Sequence, residues 1–254
     1  MASTTRADGR SSDAIRPITI EVGVQKNPEG SVIYQCGGTR VLIAASVDEN
    51  VPGWMRGKGN GWVTAEYAMH PRANPQRKER EGRRGQIDGR TQEIQRLIGR
   101  ALRSIVALDK LGERQIIVDC DVLDADGGTR TAAITGGFVA LAMAIDSLRK
   151  RGLLVNGVLR SEVAAISAGL VDGRCLVDLP YVEDSKAEVD LNVVSDGRGG
   201  LIEVQGTAEG APVPRGVFDQ LVDLGMAAMV PLRAAQDAAL AKAGVDLARL
   251  RVAP

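Results

Sequence analysis

The hydrophobic pattern divides the first half of the chain into strands followed by helices. Three segments between residues 15 and 50 alternate polar with apolar residues or run apolar, and NPEG and GG separate them as turns. From Thr91, apolar residues recur at i, i+3, i+4 and i+7, which predicts an amphipathic helix. QIIVDCDVL then predicts another strand, and AAITGGFVALAMAI predicts a second helix that reaches about Arg151.

The second half repeats this order of strands and then helix. LRSEVAAISAGLV and RCLVDLPYV flank a DG turn, and AEVDLNVVSD and LIEVQGTAE flank GRGG, which predicts two hairpins. The segment after PVPRG predicts a helix that is broken near Pro231. The pattern therefore predicts an α+β fold of two similar halves, 10–151 and 157–247, although no sequence repeat is visible.

Composition indicates a globular protein of the cytoplasm with no membrane partner. Of 254 residues, 44% are hydrophobic and 25% charged. The longest apolar run is interrupted by Asp146 before it reaches the roughly 20 residues of a membrane span, and the N-terminus lacks the apolar core of a signal peptide. Three scattered cysteines without zinc-site spacing indicate reduced, buried thiols.

Charge is balanced overall but concentrated locally. The 32 basic and 32 acidic residues exclude a general attraction to nucleic acid. Residues 72–84, which we call the basic loop, carry two acidic residues and the six basic residues Arg72, Arg77, Lys78, Arg80, Arg83 and Arg84. The basic loop could bind the backbone of a polyanion or could only improve solubility. His70 is the single histidine, which excludes a mechanism that uses two.

The stretch DADGGTRTAAITGG places two glycines, a threonine and an arginine between a strand and a helix. Backbone N–H groups and the dipole at a helix start favour an anion, and arginine offers a fork of donors to phosphate. In the alternative interpretation, the glycines form an ordinary turn and Thr129 or Thr131 caps the helix. The stretch matches neither the P-loop nor the dinucleotide-binding glycine pattern.

A second Gly-Arg-Thr triplet precedes the Thr91 helix and contains Arg90. Two such junctions could supply two arginines and two sets of helix N–H groups to one oxyanion. Alternatively, Arg90 pairs with Glu93 or Asp88 on a loop.

Asp184 and Asp190 are six residues apart within the acidic stretch YVEDSKAEVDLNVV. Clustered carboxylates in a chain with a phosphate site suggest a hard divalent cation such as Mg²⁺, held by few protein ligands and by substrate oxygens. The alternative is a solvated acidic turn.

Five ordered segments together resemble one known family. These segments are GWVTAEYAMHPRA, GRTQEIQRLIGRALR, DCDVLDADGGTRTAAITGG, YVEDSKAEVDLNVV and EVQGTAEG. They resemble bacterial RNase PH, a family of phosphate-dependent exoribonucleases that trim tRNA 3′ ends, from about Arg10 to the C-terminal helix. The resemblance implies the RNase PH fold (ribosomal protein S5 domain 2-like), a duplicated β-α arrangement, and a ring-shaped homohexamer built as a trimer of dimers.

The resemblance also implies roles for individual residues. The implied ligands of inorganic phosphate are Arg90, Gly128, Thr129 and Arg130. The implied catalytic residues are Arg90, Asp184 and Asp190, and the two aspartates would bind Mg²⁺ or Mn²⁺. The basic loop matches the region that grips tRNA in the family, although its sequence RKEREGRRGQID departs from the family pattern.

The implied activity is phosphorolysis in the 3′-to-5′ direction. Orthophosphate would remove nucleotides beyond the CCA end of tRNA precursors as nucleoside 5′-diphosphates, the reverse reaction would add nucleotides, and ribosomal RNA 3′ ends are further substrates. One alternative is a non-catalytic RNA-binding subunit of an exosome-like ring, but such subunits lack the arginines or aspartates that this chain has. Another is a small-molecule phosphotransferase, which predicts a different glycine motif.

Overall fold

The computed structural model describes residues 6–81 and 85–252, in two sheets and a set of helices. The strands are β1 (Ile18–Val22), β2 (Gly30–Cys36), β3 (Thr39–Asp48), β4 (Trp62–Met69), β5 (Gln115–Asp124), β6 (Val163–Val171), β7 (Arg174–Val177), β8 (Val189–Asp196) and β9 (Leu201–Ala208). The helices are α1 (Gly89–Ser104), α2 (Leu108–Leu111), α3 (Thr129–Lys150), α4 (Tyr181–Asp184), α5 (Arg215–Lys242) and α6 (Leu247–Leu250), with a short 3-10 turn at Gly53–Met55.

Each half of the chain contributes one sheet. The first has the order β1-β2-β3-β5-β4, in which only β4 and β5 are parallel, and the second has the antiparallel order β7-β6-β8-β9. Both predicted hairpins are present, and the β6–β7 turn has left-handed backbone at Asp172 and Gly173, as a tight two-residue hairpin requires. The predicted α+β fold is confirmed.

Helix α3 forms the centre of the molecule. It packs against β2 and β3 of the first sheet and against β6 of the second, and 89% of its most apolar window is buried. Its length and mean hydropathy would also suit a membrane span, but its apolar faces are covered by the two sheets. The buried charge of Asp146 is balanced by Arg149 and Lys150.

Helix α5 is longer than the sequence predicts. The expected break near Pro231 is wrong, because the helix continues through this residue to Lys242. Pro231 is exposed, while its neighbours Met229 and Leu232 are buried against the second sheet. A proline costs the helix one backbone hydrogen bond, but on the solvent side the freed carbonyl can bind water. Burial of the opposite face keeps the helix continuous.

The cysteines are free thiols on strands, and their burial differs. Cys36 and Cys120 are buried as predicted. Cys175 packs against the core of the second half but is only partly buried, so the prediction of a buried thiol is wrong for this residue. Burial is the main cause that raises the pKa of Cys36 to about 12. This thiol is therefore protonated at neutral pH.

Buried Gln236 connects elements of both halves. From α5, its Nε2 donates to the carbonyl oxygens of Thr135 in α3 and Val163 in β6, at 2.8 and 2.9 Å. The side chain is completely buried. Because buried carbonyl groups need hydrogen-bond donors, Gln236 fixes the packing of α5 on the rest of the core.

We expect Gln236→Ala to lower the free energy of unfolding by about 2 kcal/mol, because it leaves a cavity and two buried carbonyls without this donor. Denaturant unfolding measures the change. The exposed neighbour Asp237 is the matched control, and Asp237→Ala should change the free energy by less than about 0.5 kcal/mol. Equal effects of the two substitutions would contradict the assigned role.

Candidate active site

The start of α3 is arranged to receive an anion. Gly127 and Gly128 have φ values of +75° and +67°, and α3 begins at Thr129 directly after them. Among the described residues, no side chain caps this helix; Thr131 Oγ1 instead donates to the carbonyl of Gly128 at 2.9 Å. The interpretation of Thr129 or Thr131 as a helix cap is therefore wrong. Unsatisfied N–H groups and the helix dipole remain to attract negative charge.

Tyr67 holds the hydroxyl of Thr129. The two hydroxyl oxygens lie 2.8 Å apart, and Tyr67 reaches this point from the buried face of β4. Burial raises the pKa of Tyr67, and the hydrogen bond with Thr129 and the charges of Arg90 and Arg130 act in the opposite direction. The charges of both arginines therefore influence the ionisation of the Tyr67 hydroxyl.

Arg130 is oriented by residues of two other elements. Its Nη1 donates to Gln205 Oε1 of β9 at 2.7 Å and lies 3.4 Å from Glu93 Oε1 of α1. Gln205 Nε2 in turn donates to the same Glu93 oxygen at 2.6 Å. The second sheet therefore helps to hold an arginine of the first half. Sequence analysis missed the role of Gln205, because an amide carries no chemical signal of its own.

Arg90 lies in the first turn of α1 and is exposed. The helix begins at Gly89, slightly earlier than the predicted start at Thr91. Asp88 makes no capping side-chain hydrogen bond, and Glu93 lies beside Arg130. Burial raises the pKa of both Asp184 and Asp190, and the positive charge of Arg90 acts against this rise at both groups.

Asp184 ends α4 and Asp190 lies on β8, and both are partly buried. Burial raises the pKa of Asp184, against the opposing charges of Arg90, Arg130 and others. Burial and then the charge of Asp184 raise the pKa of Asp190. The expectation of a solvated acidic turn is wrong for these residues. Instead, α4 adjoins the loop before α3 through the hydrogen bond from Tyr181 N to Asp126, and the charges of Arg90 and Arg130 act on both carboxyl groups.

This pair of carboxylates fits a magnesium or manganese ion better than a zinc ion. The described residues contain no group of three or more His, Cys, Asp or Glu side chains that could enclose a metal. Mg²⁺ usually binds through one or two carboxylates together with water and substrate phosphates. Burial and then the charge of Asp184 raise the pKa of Asp190, and a divalent cation held by these carboxylates would offset the second effect.

The basic loop is tied at one end near the start of α3 and at the other to the first turn of α1. Ala73 accepts a hydrogen bond from Ala125 N at 2.9 Å, and Glu81 accepts one from Thr91 Oγ1 at 2.7 Å. The exposed basic residues between these ties are Arg77, Lys78 and Arg80, with Arg72 exposed at the base. Arg83 and Arg84 lie outside the described residues.

His70 takes part in the loop base and not in the carboxylate–arginine cluster. Its Nδ1 accepts a hydrogen bond from Arg72 N at 3.3 Å. His70 therefore makes its hydrogen bond at the edge of the basic loop.

Comparison with known families agrees with this geometry. Residues 14–145 match the 3′ exoribonuclease family, domain 1, and residues 161–228 match domain 2 of that family. The chain belongs to the 3′ exoribonuclease family. Ribonuclease PH of Mycolicibacterium gilvum is 54% identical over 236 residues, which cover 92% of this chain and 91% of that protein. Ribonuclease PH of Maricaulis maris is 54% identical over 235 residues, covering 92% and 99%.

Solved structures share the fold at much lower identity. Rice Rrp46 superposes with a TM-score of 0.75 at 19% identity, covering 92% of this chain and all of that one. A chain of the Archaeoglobus fulgidus exosome with RNA bound to the active site has a TM-score of 0.74 at 23% identity, covering 91% and 92%. The predicted RNase PH fold is confirmed, and so is the predicted activity of a phosphate-dependent 3′-to-5′ exoribonuclease.

We expect Tyr67→Phe to raise the KM for orthophosphate about fivefold, because Thr129 loses one hydrogen-bond partner worth about 1 kcal/mol. The KM for RNA should stay unchanged, because Tyr67 is buried behind the phosphate site. Steady-state trimming rates at varied phosphate and at varied RNA measure both constants. An unchanged KM for phosphate would mean that Tyr67 does not orient Thr129.

Proposed function

We propose that orthophosphate binds at the start of α3, between Arg90 and Arg130, and attacks an RNA 3′ end that lies against Asp184 and Asp190. The observation that carries this proposal is the contact of the uncapped start of α3 with the second half of the chain. The loop before α3 is hydrogen-bonded to α4, which ends in Asp184, and Arg130 is hydrogen-bonded to β9, the neighbour of the strand that carries Asp190. Gly128 and Thr129 would contribute backbone N–H groups and a hydroxyl to the same phosphate. Such an arrangement holds two anions together in spite of their repulsion.

The reaction is a direct displacement at phosphorus. A phosphate oxygen bonds to the phosphorus of the last phosphodiester, the bond to the 3′-oxygen of the preceding nucleotide breaks, and that oxygen takes up a proton. The products are a nucleoside 5′-diphosphate and an RNA shortened by one nucleotide. Orthophosphate is already an anionic nucleophile, so no histidine base is needed. Asp184, whose pKa is raised by burial, is our choice for delivering the proton.

Asp184 and Asp190 are also the residues that would hold Mg²⁺ or Mn²⁺. The ion would supply charge neutralisation at the scissile phosphate. Arg90 and Arg130 supply positive charge on the side of the attacking phosphate. Because the bonds broken and formed are similar in energy, we expect the reaction also to run in reverse and to add nucleotides from diphosphates.

The substrates that we propose are tRNA precursors with nucleotides beyond the CCA end, and ribosomal RNA 3′ ends. The support is the basic loop, which places exposed cations beside the site that receives the 3′ end. Phosphate contacts of this kind give affinity without reading sequence. The reduced thiols agree with a cytoplasmic location.

We propose a homohexameric ring in which each protomer consists of the halves 10–151 and 157–247. Apolar side chains of Leu201 and Val204 are exposed on β9, at the edge of the second sheet. An exposed apolar edge strand is suited to pairing with another chain. The solved relative from Archaeoglobus fulgidus is itself part of an exosome.

Trimming of a tRNA precursor with a short 3′ tail, with and without orthophosphate, tests the reaction. We expect nucleoside diphosphates only when phosphate is present. Arg90→Ala should lower kcat/KM for phosphate by about 100-fold or more, the usual cost of removing one group that stabilises a transition state, while RNA binding is retained. Arg215→Ala, at an exposed arginine of α5, is the matched control and should leave the rate unchanged.

Other products would decide against the proposal. Release of nucleoside monophosphates without added phosphate would show a hydrolytic nuclease. Bound RNA without release in either reaction would favour a non-catalytic ring subunit. Normal phosphate dependence in Arg90→Ala would remove this residue from the phosphate site.

Asp190→Asn should remove cation binding and activity without destabilising the fold. Because the pKa of Asp190 is raised in the folded protein, its ionisation opposes folding. The destabilisation builds up as pH rises from the ordinary carboxyl pKa to the raised pKa, and it is fully present above that range. We therefore expect the variant to have a higher Tm than the wild type at pH 7.5 and to lose trimming activity. Mg²⁺ should raise the Tm of the wild type but not that of the variant.

Asp223→Asn, at an exposed position of α5, is the control and should respond to Mg²⁺ as the wild type does. An equal Mg²⁺-dependent rise in the Tm of Asp190→Asn would place the cation elsewhere.

A further inference from the structure

The N-terminal segment 6–17 lies against the second half of the chain before it enters β1 of the first sheet. Arg6, whose side chain is fully buried, donates to both carboxylate oxygens of Glu183, the neighbour of Asp184 in α4. It also donates to the carbonyl oxygens of Val177 and Asp178, just before α4. The segment therefore fixes the turn that carries Asp184.

Arg16 contacts both halves of the candidate active site at once. Its Nε and Nη2 donate to the two carboxylate oxygens of Asp178, at 2.9 and 2.6 Å, and its backbone N donates to the same group at 2.7 Å. The remaining terminal nitrogen, Nη1, donates to the carbonyl oxygen of Asp126 at 2.5 Å. Asp126 precedes the glycines at the start of α3, and Asp178 precedes α4. The buried guanidinium of Arg16 therefore links the loop before α3 to the loop before α4.

These two loops also touch each other directly. The Asp126 carboxylate accepts a hydrogen bond from Tyr181 N, the first residue of α4, at 3.1 Å. A Cβ on Gly127 would lie 2.2 Å from the carbonyl oxygen of Leu179, a distance that no side chain tolerates. The two loops are therefore in close backbone contact, and Arg16 is hydrogen-bonded to both of them at this junction.

We propose that Arg16 is a positioning residue for phosphorolysis, which sets the distance between the phosphate-binding residues 128–130 and the carboxylate of Asp184. This inference rests on the proposed function of these residues. Phosphate and the RNA 3′ end must meet in line, and a displacement of about 1 Å lowers such a rate about 100-fold. Arginine is needed because its planar fork serves a carboxylate and a carbonyl at the same time, whereas lysine offers a single point charge.

Arg16→Lys tests the proposal, with Arg10→Lys as the matched control. Arg10 belongs to the same segment and contacts the carboxylate and carbonyl of Asp178, but its hydrogen bonds do not reach the Asp126 loop. We expect Arg16→Lys to raise the KM for orthophosphate about tenfold and to lower kcat about 10- to 100-fold, with the KM for RNA unchanged. Arg10→Lys should keep the wild-type KM for orthophosphate, whatever its Tm.

A purely structural role of Arg16 predicts a different result. Both variants would then lose Tm or active fraction, while the remaining active molecules would keep the wild-type KM for orthophosphate. That outcome would overturn the proposal. If the wild-type protein releases no nucleoside diphosphates, the proposed function itself fails. If the wild type and Arg16→Lys are both active and have equal KM values for orthophosphate, only the proposal about Arg16 fails.

A second variant decides the matter if Arg16→Lys does not fold. Asp126→Ala removes the hydrogen bond to Tyr181 N from a partly exposed side chain and leaves the buried pair of Arg16 and Asp178 in place. It should raise the KM for orthophosphate in the same direction as Arg16→Lys. Asp126→Ala also removes the ion pair between the Asp126 carboxylate and Arg16 Nη1 at 3.6 Å. A wild-type KM for orthophosphate in this variant would therefore overturn the proposal.

Discussion

Burial of α3 between the two sheets is the constraint from which the active-site geometry follows. A helix that is apolar on nearly all sides must be covered on all sides, and here β2 and β3 cover one face while β6 covers another. The N-terminus of such a helix emerges where the two sheets meet. Residues at its start, Thr129 and Arg130, are therefore within reach of side chains from both halves of the chain. The anion site is a consequence of how the core is closed.

Electrostatic balance then explains the distribution of residues around this junction. The first half supplies positive groups, Arg90 and Arg130 together with the helix dipole, and the second half supplies Asp184 and Asp190. Each carboxylate is partly buried, so it is stabilised in the ionised form only by the arginines or by a cation. On the proposed function, orthophosphate together with a divalent cation would balance the charges of all four side chains. This complementarity connects the fold to phosphorolysis.

The candidate site residues that the sequence reveals are those that lie in recognisable local motifs. Arg90, Thr129 and Arg130 are visible because glycine-rich junctions before helices have a local physical meaning. Gln205 and Tyr67 are not visible, because their roles depend on partners that are distant along the chain; Tyr67 and Thr129 are 62 residues apart. The predicted break of α5 at Pro231 was wrong for a related reason. Burial of one face of α5 against the second sheet outweighed the tendency of proline to break a helix.

The same limit applies to Arg16 and Asp178, which are 162 residues apart and which sequence patterns do not connect. Removing this carboxylate from water costs free energy, and burial alone would raise the pKa of Asp178. The hydrogen bonds and charge of Arg16, together with the charge of Arg10, hold that pKa below its ordinary value. Asp178 also adopts a left-handed φ of 54°, which disfavours a residue with a side chain.

A buried ion pair of this kind contributes little net stability compared with well-packed apolar residues. What it provides is a fixed geometry, since a guanidinium with all its contacts in place cannot shift without breaking several hydrogen bonds together. These polar contacts lie where the loop before α3 meets the loop before α4. On the proposed function, the distance between these two loops determines whether two anions can react. Burial of the apolar core around α3 stabilises the fold and offsets the cost of desolvating this ion pair.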